Sequence, residues 1–178
     1  MPPEGIITQT LFTREQIQQR VEELAAEISR DYAGGEIFAI CLLKGSLVFT
    51  TDLIRHLDIP VTVDMMRASS YGNSTVSSGS VKILLDLDTD ITGRDVIIIE
   101  DIVDTGRTLH KTLHLLGVRN PKSLRICTML NKPHHRVEEL DIHYSGFTID
   151  DHFVVGYGLD YQEYYRNLPY IGILDPNG

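Results

Sequence analysis

The chain is short of cysteine, of positive charge and of long apolar runs. Its two cysteines, Cys41 and Cys127, lie inside the apolar stretches IFAICLL and LRICTML. A disulfide framework places its cysteines as an even set in the loops of a secreted chain, so these two read as small buried hydrophobes in a reducing compartment. No charged start is followed by an apolar h-region, so no signal peptide is expected. No apolar run approaches the ~20 residues that cross a bilayer, and a cytoplasmic location is expected. Lysine and arginine total 16 against 25 aspartates and glutamates, a net charge of -9. A surface so poor in positive charge is a weak candidate for nucleic acid, whose binders usually carry a basic footprint. No internal repeat is visible.

The chain does have ordinary globular composition and enough length, 178 residues, to bury a core as one domain. Thr13 with Gln16 three residues on forms a capping box, and Ile17, Val21, Leu24 and Ile28 follow at helical spacing. Gly34-Gly35 ends that helix. Ile37 to Leu43 is almost wholly apolar and predicts a strand buried on both faces. Ser46 is placed to cap a second helix, which stops before Pro60. Further strands are expected at Val61 to Met66, Val81 to Leu87, Val96 to Ile99, Leu124 to Leu130, Phe153 to Tyr157 and Tyr170 to Leu174, with a helix at Arg107 to Leu116. Alternating strand and helix argue an α/β fold with a mostly parallel sheet, which binds ligands beyond the carboxyl ends of its strands. The polar stretch from Ser69 to Ser80 reads as a flexible loop.

The segment VIIIEDIVDTGRTL, Val96 to Leu109, draws these features together. An apolar strand runs into Glu100 and Asp101, and Asp104-Thr105-Gly106-Arg107-Thr108 opens a helix. Backbone N–H groups at a helix start, with the helix dipole and two threonine hydroxyls, favour a phosphate. Glycine allows the close approach. Glu100 and Asp101 are acceptors suited to a pair of ribose hydroxyls or to a magnesium ion. The glycine-lysine-serine ending of a Walker A loop is missing.

This segment resembles the phosphoribosyl pyrophosphate motif of the type I phosphoribosyltransferases. From about Leu11 to Pro176 the chain is similar to the hypoxanthine-guanine branch of that family. The resemblance implies one phosphoribosyltransferase domain over residues 1–178, with a hood built from the N-terminal segment and the C-terminal part and a lid at about 69–80. It implies transfer of the phosphoribosyl group to hypoxanthine or guanine, giving IMP or GMP, with Mg2+ as cofactor and a homodimer or homotetramer as the assembly. Residue by residue, it assigns Lys44 and Gly45 to a pyrophosphate loop with a cis Lys44–Gly45 peptide. Glu100, Asp101, Asp104, Thr105, Gly106, Arg107 and Thr108 go to the sugar phosphate, with Asp104 as general base, and Arg166 to pyrophosphate. Ser70 and Tyr71 belong to the lid. Lys132 reads the O6 atom of the purine, Phe153 stacks on the ring, main-chain groups of Val154 meet its edge, and Asp160 joins Glu100 and Asp101 in binding metal. His152 stands where relatives often carry lysine.

Overall fold

The computed structural model describes residues 5–70 and 81–178. The chain forms β1 (Ile6–Phe12), α1 (Arg14–Asp31), β2 (Ile37–Leu42), α2 (Leu47–Arg55), β3 (Val61–Ser70), β4 (Val81–Leu85), β5 (Asp95–Val103), α3 (Arg107–Gly117), β6 (Ser123–Asn131), β7 (Tyr144–Thr148), β8 (Val154–Val155) and β9 (Ile171–Asp175). A six-stranded sheet has the order β4-β3-β2-β5-β6-β7, and a second sheet has the order β1-β9-β8. In the large sheet β2 pairs in parallel with β3 and β5, and β6 in parallel with β5 and β7. Only the edge strand β4 runs antiparallel.

The expected α/β class with a mostly parallel sheet is what the chain adopts, and the alternation along β5 shows why. Ile97 and Ile99 face the cluster beneath α1 and α2, with Ile17, Leu24, Ile28 and Phe49. Val96 and Ile98 face the opposite cluster beneath α3, with Phe38, Leu109 and Leu116. A strand covered by helices on both faces has no polar side to show, so its sequence is a continuous apolar run. The capping box of α1 forms as read, with Gln16 N–H donating to Thr13 Oγ1 at 3.3 Å and Thr13 N–H to Gln16 Oε1 at 2.9 Å.

Several elements depart from expectation. Ser46 occupies the first position before α2 but caps nothing; its hydroxyl donates to Leu42 O at 2.6 Å and ties the turn to the end of β2. β3 runs on through Ser70, so the lid expected at 69–80 begins inside a strand. Residues 71–80, Tyr71 among them, and the side chain of Ser70 lie outside the described residues. β5 continues past Ile99 to Val103, which puts Glu100 and Asp101 within the strand. The strand expected at Phe153 to Tyr157 shrinks to two residues, because Gly156 (φ 96°) and Tyr157 (φ 51°) turn the backbone out of the sheet. β1 and β7 were not foreseen. β1 is mostly exposed, and its partner β9 lies at the far end of the chain, so no local pattern marks it. Together β1, β9 and β8 form the small hood.

Strands diverge from the β2–β5 pair in opposite directions. The chain steps outward through β3 and β4 on one side and through β6 and β7 on the other. The crevice at such a reversal, beyond the carboxyl ends of the two strands, is where open α/β sheets hold ligands.

Ile98 is fully buried at the centre of β5. Ile98→Ala is expected to lower the free energy of unfolding by about 2–5 kcal/mol. The exposed Val118 offers a control: Val118→Ala should stay within about 0.5 kcal/mol. Denaturant titrations at one protein concentration measure both.

Candidate active site

Two turns meet in that crevice. The first follows β2 and contains Leu43, Lys44 and Gly45. The second follows β5 and contains Asp104, Thr105 and Gly106. The register of the two strands, with Cys41 opposite Ile99, sets the turns side by side. The cis peptide of the first turn is Leu43–Lys44, one residue before the Lys44–Gly45 bond expected from the resemblance. Gly45 packs directly on the Asp101 carboxylate, where a Cβ would collide with the Asp101 side chain. No larger residue fits here without moving Asp101.

Glu100 and Asp101 sit next to each other near the end of β5. Burial and then the neighbouring Asp101 charge push the Glu100 carboxyl well above its ordinary value. Burial also raises Asp101, opposed by donors that include the Ile102 N–H and by the positive charge of Arg166. Two acids so placed keep protons more readily than isolated carboxyls do. Such a pair suits a hard cation, which magnesium binding commonly takes from one or two carboxylates, with water and substrate phosphate completing the shell. Among the described residues no cluster of three or more metal-ligating side chains occurs. Asp160, expected as a further metal ligand, has Oδ1 2.8 Å from Arg166 Nη2, and its Oδ2 accepts the Glu163 N–H at 2.9 Å.

The start of α3 forms the phosphate-sized part of the site. Gly106 is left-handed (φ 79°) and precedes Arg107 with no side chain capping the helix. The open first turn presents its N–H groups outward. The carbonyl of Thr105 is held from behind by the N–H groups of Val137 and Glu138, at 3.0 and 3.2 Å. Arg136 Nε donates to Asp104 O at 3.1 Å, and another arm of the guanidinium donates to Asn131 Oδ1. The loop after β6 thus clamps the phosphate turn. Arg136 was not recognised in the sequence, where nothing local sets it apart.

The cations expected at the site converge on one unforeseen residue. Glu163 Oε2 accepts from Lys44 Nζ at 2.8 Å and from Arg166 Nη2 at 3.3 Å. Lys44 and then Arg166 hold the Glu163 carboxyl below its ordinary value. Arg166 also donates to Gly158 O at 2.8 Å.

The segment expected to read a base lies on the other side of Asp104. Lys132 is buried, and its Nζ donates to His152 O at 2.7 Å and lies 3.6 Å from Asp151 Oδ1. Phe153 is 47% exposed, an unusual place for a phenyl ring, and it meets Tyr161 edge to face at 5.6 Å. The adjoining Val154 is buried in the hood sheet. The structure therefore brings the acids, the phosphate turn, the two cations and the Lys132–Phe153 segment to one crevice.

Fold and site together define an α/β protein built to hold a phosphorylated sugar beside a flat ring. The chain matches the family model described as phosphoribosyl transferase domain over residues 8–162, and it belongs to that family. It is 52% identical over 178 residues to a hypoxanthine-guanine phosphoribosyltransferase of Mycobacterium avium, covering 97% of this chain and 88% of that protein. It is 52% identical over 170 residues to a protein of the same name from Bacillus subtilis (strain 168), covering 96% of this chain and 94% of that protein. A crystal structure of a hypoxanthine-guanine phosphoribosyltransferase from Bacillus anthracis, with a HEPES molecule in its active site, superposes with a TM-score of 0.90 at 48% identity, covering 97% of this chain and 99% of that one.

Gly45→Ala tests the contact between the two turns. The variant is expected to fold, judged by its far-ultraviolet spectrum and melt. Displacing Asp101 by about 1 Å should lower kcat/KM for the phosphoribosyl donor by about 10²-fold.

Proposed function

We propose that this protein is a purine salvage enzyme that transfers the 5-phosphoribosyl group from phosphoribosyl pyrophosphate to N9 of hypoxanthine or guanine, giving IMP or GMP and pyrophosphate. The observation that carries this reading is the meeting, in one crevice, of the Glu100–Asp101 pair, the open start of α3 and the Lys132–Phe153 segment. Acceptors for a ribose, donors for a phosphate and a buried cation beside an exposed ring are what the two substrates require.

In this reading the start of α3, from Thr105 to Thr108, holds the 5-phosphate. Glu100 and Asp101 hold the ribose hydroxyls and Mg2+. The bound ion would neutralise charge on the pyrophosphate as it leaves. Lys44, Arg166 and backbone N–H groups around Gly45 grip the same leaving group, a task that suits the fork of a guanidinium. Glu163 holds both cations until an anionic substrate takes them over. Phe153 stacks on the purine. The Lys132 ammonium has three donors; one goes to His152 O, and another serves O6. A cation at that point disfavours adenine, which presents an amine there. Asp104 takes the proton from N7 as N9 attacks. Because the sugar develops oxocarbenium character, catalysis is mostly placement and charge stabilisation.

A cytoplasmic location and a homodimer or homotetramer belong to the same proposal. The free, buried thiols of Cys41 and Cys127 support the first, and no helix among the described residues is long and apolar enough to cross a membrane. Val63, Met65, Leu84 and Leu85 support the second, as large apolar side chains exposed on the β3–β4 edge. No nucleic-acid partner is proposed, in keeping with the net charge of -9.

Purified protein with phosphoribosyl pyrophosphate and magnesium is expected to form nucleotide from hypoxanthine or guanine, followed by absorbance, and to stop when the metal is chelated. Product chiefly from adenine would remove Lys132 as the reader of O6, product chiefly from xanthine, which also carries O6, would overturn the choice of hypoxanthine or guanine, and no product from any base would overturn the reading. Asp104→Asn should slow the single-turnover rate by about 10²–10⁴-fold with base affinity little changed. An unaltered rate would remove Asp104 as the base.

A further inference from the structure

The turn before α3 has a back as well as a face. At its back, the carbonyls of Asp104 and Thr105 are both held by the loop after β6. Arg136 Nε donates to Asp104 O at 3.1 Å, and the N–H groups of Val137 and Glu138 donate to Thr105 O. A second arm of the same guanidinium donates to Asn131 Oδ1 at the end of β6 and lies 3.5 Å from Val103 O at the end of β5. Gly106 closes the back, since a Cβ there would lie 3.0 Å from Arg136 Cδ and 2.8 Å from Leu140 Cδ1.

The face follows from the back. In a trans peptide the C=O and the next N–H point in opposite directions. The peptides after Asp104 and Thr105 are trans, because the cis bond among the described residues is Leu43–Lys44. Holding Asp104 O therefore aims the Thr105 N–H away from the loop, and holding Thr105 O does the same for the Gly106 N–H. None of the N–H groups of Thr105, Gly106, Arg107 and Thr108 donates to another described residue. Successive free N–H groups around a left-handed residue, here Gly106 at φ 79°, form a concave seat for an anion.

The two carbonyls are held by different means. Thr105 O is held by main-chain donors, whichever side chains the loop carries. Asp104 O is held by one side chain. We infer that Arg136 is a positioning residue for the phosphate: by holding Asp104 O it keeps the Thr105 N–H aimed at the 5-phosphate before the ligand arrives. The inference rests on the reading that the start of α3 holds that phosphate. Arg136 stays behind the turn and touches no substrate. Without it the Asp104–Thr105 peptide is free to rotate, and rotation sets a carbonyl where the phosphate needs a donor. A donor fixed in advance also spares the ligand the cost of ordering it.

The test is the equilibrium affinity of the parent, Arg136→Met and Arg136→Lys for GMP and for guanosine, which lacks the 5-phosphate, with thermal melting to follow folding. The parent should bind GMP more tightly than guanosine by about 10²-fold or more. Arg136→Met should weaken GMP by about 10- to 100-fold, the share of one N–H donor to a charged group, and leave guanosine within about threefold. A general loosening of the fold would weaken both ligands alike. Arg136→Lys keeps the charge but has no fork to span Asp104 O and Asn131 Oδ1, so it should weaken GMP by more than about threefold. The positioning role is overturned by GMP affinity within about threefold of the parent in either variant, or by equal losses for GMP and guanosine. If Arg136→Met fails to fold, Arg136→Lys decides alone. A parent that binds GMP no better than guanosine defeats instead the reading of the start of α3 as the phosphate site.

Discussion

Two neighbouring carboxylates near the end of a strand covered on both faces set the terms for the rest of the site. Glu100 and Asp101 cannot both be charged there at low cost, since burial raises both and the Asp101 charge raises Glu100 further, while a hydrogen bond with Glu100 holds Asp101 down. Such a pair persists where function requires it and where surrounding groups compensate. Here the compensation is Arg166 on the protein side, and a divalent cation with its phosphorylated substrate suits the remainder. Gly45 follows from the same constraint, because the turn after β2 reaches the acids only if nothing projects from it.

Around the acids, charge is arranged in opposed pairs reached from distant parts of the chain. Lys44 comes from the β2–α2 turn and Arg166 from the segment before β9, yet Glu163 binds both. On the other flank, Lys132 follows β6 and Asp151 precedes β8, with His135 between Asp151 and Asp104. Paired in this way, the charges do not stand uncompensated in the crevice.

The large sheet was legible because its strands are buried on both faces. A double-sided apolar run such as Val96 to Ile99 has few other interpretations. The hood was less legible. Its strands are short, exposed or both, and they pair across most of the chain length, Ile6 with Asp175. The site residues at helix starts and strand ends were readable as local patterns, because Asp-Thr-Gly at a helix opening has a backbone consequence wherever it occurs. Arg136, Glu163 and His135 were not readable in this way. Each matters through a partner at least four residues away whose proximity no local spacing encodes.

By itself, then, the sequence determined the α/β class, the helix cap at Thr13, the buried strands and the acidic turn before α3. These depend on short-range rules: hydrophobic period, capping geometry and the backbone freedom of glycine. Only the tertiary structure decided that Ser46 would tie back to Leu42, that Asp160 would face Arg166, and that His135 would stand between Asp104 and Asp151. A polar side chain chooses its partner from whatever donors and acceptors the fold brings within about 3 Å, and that choice is made when the strands pair.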